Sequence, residues 1–431
     1  MTTLRVLLHV AAQRDYKLHS LDFSTAFLQG NLHEEIWLRR PPDFTGSFPP
    51  GTQWSLRRPV YGLRQAPREW HDTLKTTLAA LRFAPSTADP SVFLRTDTSL
   101  PPFYVHVYVD DLVFATADTE ALALVKSELQ KRHTCTDLGE LRSYLGLQIT
   151  RDRARRTITL TQSHMVQQVL QRFGFTWSSA QATPLATGHS LSAPPSDESV
   201  EPSGPYPDIS GMGLVLGGRG DVVLIGHSDA SWVDDQATQR SSQGYTFSLG
   251  SGSVSWRSTR SSSVLGSSCE AEIYATTMAA QELRWLTFLL TDLEERPRSP
   301  PVLYVNNKAA IALCQEHRLE HRTKHIALRY FLVRELQQRG QLRLIYVATR
   351  ANTADIFTKA LPPGDHQRFC TFLGRLDGGS WRDASSASSQ EATISGSPAS
   401  LLRQSPVSSL LLPLRVSRGA SYSSSPEATI S

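Results

Sequence analysis

FYVHVYVDDLVFA, residues 103–115, decides how the first half of this chain folds. Tyr104, His106 and Tyr108 alternate with Val105, Val107 and Val109, the period of a strand. The run breaks at Asp110 and Asp111 and resumes at Leu112. Two apolar strands meeting at two carboxylates predict a β-hairpin with the acids at its tip. Adjacent strand residues face opposite sides, so the turn is expected to aim Asp110 toward a third carboxylate. That partner is Asp22, in the strand-like stretch LHSLDFSTAF, residues 18–27. An Asp-Asp pair alone is ordinarily a polar turn; apolar strands on both sides make this one a candidate site.

Working outward, residues 3–12 read as a short helix, and 41–53, rich in Pro, Gly and Thr, as a loop. Trp70, Leu74, Leu78 and Leu81 share a face at spacings of four, four and three, which predicts a helix over 67–82. Leu122, Val125 and Leu129 form the stripe of another over 118–132. YLGLQIT and TITLTQ flank the turn RDRARR as a second hairpin, followed by a helix over 163–174. Residues 178–212, dominated by Ser, Pro, Ala and Gly, read as a shortened linker.

A second globular part is expected from Gly213. Its strands are VVLIGHSDA, GYTFSLG and SVSWRST, followed by a long helix over 268–292. The strands VLYVNN and LRLIYVAT then alternate with helices near 307–316, 322–339 and from Asn352. Three strands followed by alternating helices and strands imply a mixed sheet covered by helices, and the whole reads as α+β. From residue 376 the chain turns to Ser, Ala and Pro, and EATIS occurs at both 391–395 and 427–431, so 376–431 reads as a low-complexity disordered tail.

The formal net charge is +4, too mild to argue for nucleic acid by itself. Local clusters argue better: Arg57, Arg58, Arg64 and Arg68; Arg151, Arg153, Arg155 and Arg156; Arg318, Arg322, Lys324 and Arg329. Each is either a phosphate contact or a solvated turn or helix face. The four cysteines are scattered without a C-x-x-C pair, which speaks against a zinc knuckle or disulfide scaffold. No apolar run is long enough to span a bilayer. His317, His321 and His325 lie four apart, a spacing that suits a zinc ligand ladder or an exposed surface.

Carboxylates gathered on rigid strands suit hard divalent cations, and polymerases use two such ions for nucleotidyl transfer. YVDD at 108–111 matches the catalytic box of reverse transcriptases. LDFSTAFLQGNLHEEIWLRRP, VYGLRQAPREWHDTL and DLGELRSYLGLQI resemble, in order, the first catalytic, substrate-binding and primer-gripping segments of copia-type enzymes. GHSDASWVDD, RSSQGYTFSLGSGSVSWRS, SSCEAEIYA, HRTKHIALRYFLVREL and TRANTADIFTKAL resemble copia-type RNase H in order and spacing. The chain is thus identified as similar to a fragment of a copia-type LTR retrotransposon Pol polyprotein.

That resemblance implies a partial reverse transcriptase palm and thumb over 1–177 and an RNase H-like mixed sheet over 213–375. It implies that Asp22 and Asp110, assisted by Asp111, hold two Mg2+, with Mn2+ as a substitute. Phe27 is implied as the bulky residue beneath the sugar, its alternative role being core packing, while Arg64 and Gln65 would line the nucleotide pocket. In the second half the implied ligands are Asp229, Glu272 and Asp355, with Glu270 as an alternative to Glu272. Where the family carries an aspartate after the strand LYV, this chain has Asn306, a neutral and poorer ligand, so RNA hydrolysis is expected to be impaired. The implied partners are an RNA template, a DNA primer, an RNA–DNA hybrid and dNTPs, with no membrane. The implied setting is intracellular: cytoplasm, virus-like particle or nucleus. The fingers region that the family places before LDFSTAF is expected to be missing. A remnant that binds nucleic acid without turnover, or a domesticated scaffold, is the competing expectation.

Overall fold

The computed structural model describes residues 1–39, 53–172, 183–184, 187, 212–235, 237–315 and 327–376. The chain divides into two compact units, Met1–Arg382 and Asp383–Ser431. The second unit, most of 178–212, all but the last residue of the expected loop at 41–53 and the histidine ladder fall outside the described residues.

Helix α1 (Thr2–Gln13) is buried almost all round: Leu4, Val6, Leu7, Leu8, Val10, Ala11 and Ala12 are fully enclosed. Such a helix is a core element rather than a surface one. Strand β1 (Lys17–Phe23) follows, then a 3-10 turn, Ala26–Gln29. Short strands β2 (Trp37–Leu38) and β3 (Trp54–Ser55) pair with each other. Helix α2 (Ala66–Ala80) begins with Pro67, whose missing N–H costs nothing in a first turn, and buries Trp70, Leu74 and Leu78 as the periodicity predicts. Strands β4 (Phe83–Pro85) and β5 (Val92–Arg95) lead into the hairpin β6 (Phe103–Tyr108) and β7 (Asp111–Thr116). Helix α3 (Thr119–Arg132) is capped by Asp118, which accepts from the Ala121 N–H at 2.9 Å. With β8 (Cys135–Glu140), these strands form one sheet in the order β4-β5-β6-β7-β1-β8. Both faces of the β6–β7 hairpin are covered, so it is apolar along its length and ends in its two acids.

Strands β9 (Ser143–Tyr144), β10 (Leu147–Asp152) and β11 (Thr157–Thr161) form the second hairpin region, followed by α4 (Ser163–Arg172). Strand β12 (Gly213–Gly217), expected to open the second part, pairs instead with β11. Gly217 makes this possible. Its φ is +91°, and a Cβ there would lie 2.4 Å from the Arg156 carbonyl oxygen and 2.5 Å from the Ala12 Cβ. Its N–H donates to Nδ1 of the buried His9 at 3.1 Å.

The second half builds β13 (Ile225–Asp235), β14 (Arg240–Ser248), β15 (Ser253–Arg260), α5 (Ser268–Asp292), β16 (Val302–Val305), α6 (Lys308–Gln315), α7 (Ala327–Gln338), β17 (Arg343–Tyr346) and α8 (Pro363–Phe372). The sheet order is β15-β14-β13-β16-β17. The first three strands are antiparallel neighbours, and β16 and β17 add in parallel. This is the RNase H-like mixed sheet the sequence predicts. The helix expected from Asn352 is different: two 3-10 turns, Thr349–Ala351 and Thr353–Phe357, precede α8. Pro362 and Pro363 disfavour helix in the residues before them, so a continuous helix cannot pass through. A last strand, β18 (Arg375–Leu376), joins β12 and completes the sheet β18-β12-β11-β10-β9.

The two halves meet along α1 and the C-terminal end of α5. The Asp292 carboxylate accepts from Ser86 Oγ at 2.6 Å, Thr87 N at 2.9 Å and Ala88 N at 3.2 Å. Tyr104 Oη donates to the Leu293 carbonyl at 2.8 Å, and Arg14 forms an ion pair with Glu295. Among the described residues no helix is long and apolar enough to cross a membrane.

Candidate active centres

The first centre is built by register. Strands β1 and β7 pair antiparallel so that Asp22 stands directly opposite Asp111, and the Phe23 N–H donates to the Asp110 carbonyl at 2.8 Å. The register sets Asp111 across from Asp22, with Asp110 next to it in the turn. Val109 makes the turn with φ +56°, a left-handed conformation that is strained for a β-branched residue. The buried Trp70 holds it: its indole N–H donates to the Val109 carbonyl at 2.6 Å, and its ring packs edge-on against Phe23 at 4.9 Å and His133 at 5.6 Å. Burial raises the pKa of Asp111, and the charges of Asp110 and Asp22 raise it further.

Phe27 is 8% exposed in the 3-10 turn after β1, with its ring 4.5 Å from that of the exposed Tyr61. It therefore lies at the edge of the core, so both of its expected roles stay open. Arg64 is exposed. Gln65, just before α2, donates to Glu34 at 3.1 Å.

The second centre sits where β13 and β16 run side by side. Ser228 pairs with Val305, so the next residues, Asp229 and Asn306, emerge together. Asp229 is fully buried, and its Oδ1 accepts from the Asn306 amide at 2.9 Å and from Lys359 Nζ at 3.2 Å. Its Oδ2 accepts from the Thr358 hydroxyl. Lys359 also pairs with Asp355 Oδ2 at 3.2 Å. Asn352 ties the 3-10 turn to β13 by donating to the Ser228 carbonyl at 2.9 Å. Glu272 reaches in from α5; burial, then the Asp229 charge, pushes its carboxyl up to about 9. Burial, then Asp229, pushes Asp355 up to about 7.

The geometry separates Glu272 from Glu270. The Ser267 hydroxyl accepts from the Glu270 N–H at 3.1 Å, and the Glu270 carboxylate accepts from the Gly266 N–H at 2.7 Å. Glu270 thus serves the start of α5 much as a capping box does, while Glu272 faces Asp229.

Both donor sets suit a divalent cation. At the second centre the buried oxygens Glu272 Oε2, Asp355 Oδ1 and Asn306 Oδ1 have no hydrogen-bond partner. At the first, Asp111 feels the charges of both Asp110 and Asp22. Among the described residues, though, no three His, Cys, Asp or Glu side chains converge as a ready-made ion cage. An apolar cavity of about 480 Å3, lined by Leu145, Leu160, Val166 and Trp256 among others, contains neither carboxylate set.

The arginine cluster of 151–156 is structural in large part. Arg151 donates to the carbonyls of Tyr16 and Ala11, and Arg156 to that of Gln13, closing the C-terminal end of α1. Arg153 pairs with Asp15 at 2.7 Å. Two residues that matter to these centres escaped the sequence reading. Trp70 showed only as a core position, and Lys359 was passed over although it lies four residues after Asp355.

Comparison with known proteins bears on the fold and the family. Residues 1–187 match the family model described as reverse transcriptase (RNA-dependent DNA polymerase). The retrovirus-related Pol polyprotein from transposon TNT 1-94 of Nicotiana tabacum is 30% identical over 414 residues, 84% of this chain. That from transposon RE2 of Arabidopsis thaliana is 31% identical over 419 residues, 86% of this chain. The chain spans 31% and 28% of the lengths of these two relatives. Among solved structures, an RNase H1 isolated from compost is 11% identical with a TM-score of 0.26, covering 32% of this chain and 92% of that one. A likeness that faint adds nothing to the strand order already described. Residues 1–187 thus match the reverse transcriptase family, and the alignments running through both halves make the chain similar to copia-type retrotransposon Pol polyproteins.

Proposed function

We propose that this chain carries RNA-directed DNA polymerase chemistry at Asp22, Asp110 and Asp111, and RNase H-type hydrolysis at Asp229, Glu272 and Asp355. The observation that carries the first assignment is the register that sets Asp22 opposite Asp111 at the tip of an otherwise apolar hairpin. Asp22 and Asp110 are the principal metal-holding residues, with Asp111 beside them. Mg2+, or Mn2+ in its place, would lower the pKa of a primer 3′-hydroxyl and neutralise the incoming triphosphate. The chain's own part is to hold the acids on a rigid tip, through Trp70 and the β1–β7 ladder, so that little rearrangement accompanies binding. In this reading Phe27 lies beneath the sugar of a dNTP, and Arg64 and Gln65 line the nucleotide pocket. The partners are an RNA template, a DNA primer and the RNA–DNA hybrid they form. The working places implied by family are intracellular: the cytoplasm, a virus-like particle or the nucleus.

At the second centre the neutral amide of Asn306 replaces one carboxylate, which weakens the hold on divalent cations and with it hydrolysis. A chain that only binds nucleic acid is the less favoured reading, because the carboxylates implied for polymerisation are all present. Primer extension on a primed RNA with Mg2+ tests this. The full chain should incorporate dNTPs, and Asp110→Asn should lose at least about 100-fold in rate, as expected when a group acting directly at the reacting phosphate is removed. Equal rates for the two proteins, or salt-sensitive binding without incorporation, would sink the polymerase assignment.

A further inference from the structure

Lys359 is the one ammonium in contact with the carboxylates of the second centre among the described residues. It bridges Asp229 Oδ1 and Asp355 Oδ2 at 3.2 Å each. Its side chain is 31% exposed, while those of Asp229 and Asp355 are 0% and 4% exposed. Both oxygens of Asp229 are already engaged by protein donors: Asn306 and Lys359 on one, Thr358 on the other. The buried oxygens left without a donor are Glu272 Oε2, Asp355 Oδ1 and Asn306 Oδ1, and one of these three is a neutral amide oxygen.

Charge sets the count of ions. Asp229, Glu272 and Asp355, when ionised, bring three negative charges, and Lys359 brings one positive charge. A single dication makes the set neutral, whereas a second leaves a buried excess of positive charge. With a carboxylate at 306 and no ammonium, two dications would balance four acids. Asn306 and Lys359 together therefore shift the centre by the charge of one divalent ion. We propose that Lys359 is the resident cation of the Asp229 centre, occupying the place of a second divalent ion, so that this centre takes one metal and is a Lys-plus-one-metal site. The proposal rests on the reading of Asp229, Glu272 and Asp355 as a nuclease centre.

The test is a Mn2+ titration followed by electron paramagnetic resonance. The full chain carries Asp110→Asn and Asp111→Asn to silence the first centre, and an RNA–DNA hybrid with a 2′-O-methyl RNA strand is bound but not cut. One Mn2+ should bind. Lys359→Met should admit a second or tighten the first by about tenfold, since a like charge beside the ion is removed. Lys359→Arg should keep the single site. Without metal, Lys359→Met should melt at a lower temperature than the parent, and Mn2+ should restore it. Two Mn2+ ions, or none, in the chain with Lys359 intact overturn the proposal even if Lys359→Met fails to fold. An unchanged count and affinity in folded Lys359→Met overturns it as well. If Asp229→Asn leaves Mn2+ binding intact, the nuclease reading itself fails, and the role of Lys359 falls with it.

Discussion

Replacing Trp70 by Phe should disable polymerisation without touching any carboxylate. Trp70 is 1% exposed and supplies three things to the hairpin tip. Its indole N–H donates to the Val109 carbonyl at 2.6 Å, inside a turn whose central residue sits at φ +56°. Phe has no donor. Val109 is 37% exposed, so water can reach part of the vacated carbonyl, and the loss falls at the low end of the usual range, about 1 kcal/mol. The smaller ring also leaves a void beside Phe23 and His133, worth about 1–2 kcal/mol in a packed core. The edge-on contacts survive in weakened form. A total of about 2–3 kcal/mol is expected in urea-monitored stability. The larger effect should be on rate. Once the anchor is gone, the strain at Val109 can relax and the tip can shift by a fraction of an ångström, enough to cost about 10- to 100-fold in primer-extension kcat. Primer extension at a temperature well below the melting transition separates the two effects. A Trp70→Phe protein that is less stable yet has the parent kcat would refute the idea that Trp70 positions Asp110, and would leave it as a core residue.

Further measurements address the joint between the halves and the response to pH. Asp292→Ala removes the acceptor of four donors, Ser86 Oγ, the N–H and Oγ1 of Thr87 and the Ala88 N–H, and should cost about 2 kcal/mol; an unaltered melting temperature would show that this contact does not hold the halves together. Burial holds His9 and His106 down at about 4 against the usual 6.5 of histidine. Between those values the unfolded chain binds protons that the folded chain refuses, so stability rises with pH across the window. The contribution is complete above 6.5 and is lost as pH falls toward 4, by as much as about 3 kcal/mol for each residue. Urea titrations at pH 7 and pH 5 should show the loss, and His9→Gln should reduce it; a flat profile in the parent would mean that neither imidazole is held neutral by the fold.

Much of the architecture was legible because period and burial coincide. The stripe of Trp70, Leu74 and Leu78 placed α2, and the alternation over 103–115 placed the hairpin. Element boundaries followed where local rules dominate, as with Asp118 at the start of α3. Reading failed where a distant partner decides. A second globular part is expected from Gly213, yet Gly213–Gly217 forms a strand whose ladder partner is β11, reached through a glycine that lets it pass Arg156 and Ala12. The stretch after Asn352 has helical composition, but two prolines and the hydrogen bond from Asn352 to Ser228 hold it in short 3-10 turns. Of the arginines of 151–156, left open as a phosphate patch or a solvated turn, two, Arg151 and Arg156, are taken up by the last carbonyls of α1.

The candidate acids themselves, Asp22, Asp110, Asp111, Asp229, Glu272, Asp355 and the substituted Asn306, were all visible in the sequence, because their flanking motifs are contiguous in the chain. What lies between them was not. Which acid stands across from Asp22 in the ladder depends on strand register, a property of two segments about ninety residues apart; it is Asp111. Whether Glu270 or Glu272 enters the second centre depends on which one is taken up at the start of α5. That Lys359 stands between Asp229 and Asp355 follows from a turn docked against β13, and no local pattern encodes that distance. Side-chain chemistry is written residue by residue, whereas charge balance inside a buried centre is a sum over neighbours that only the folded chain assembles.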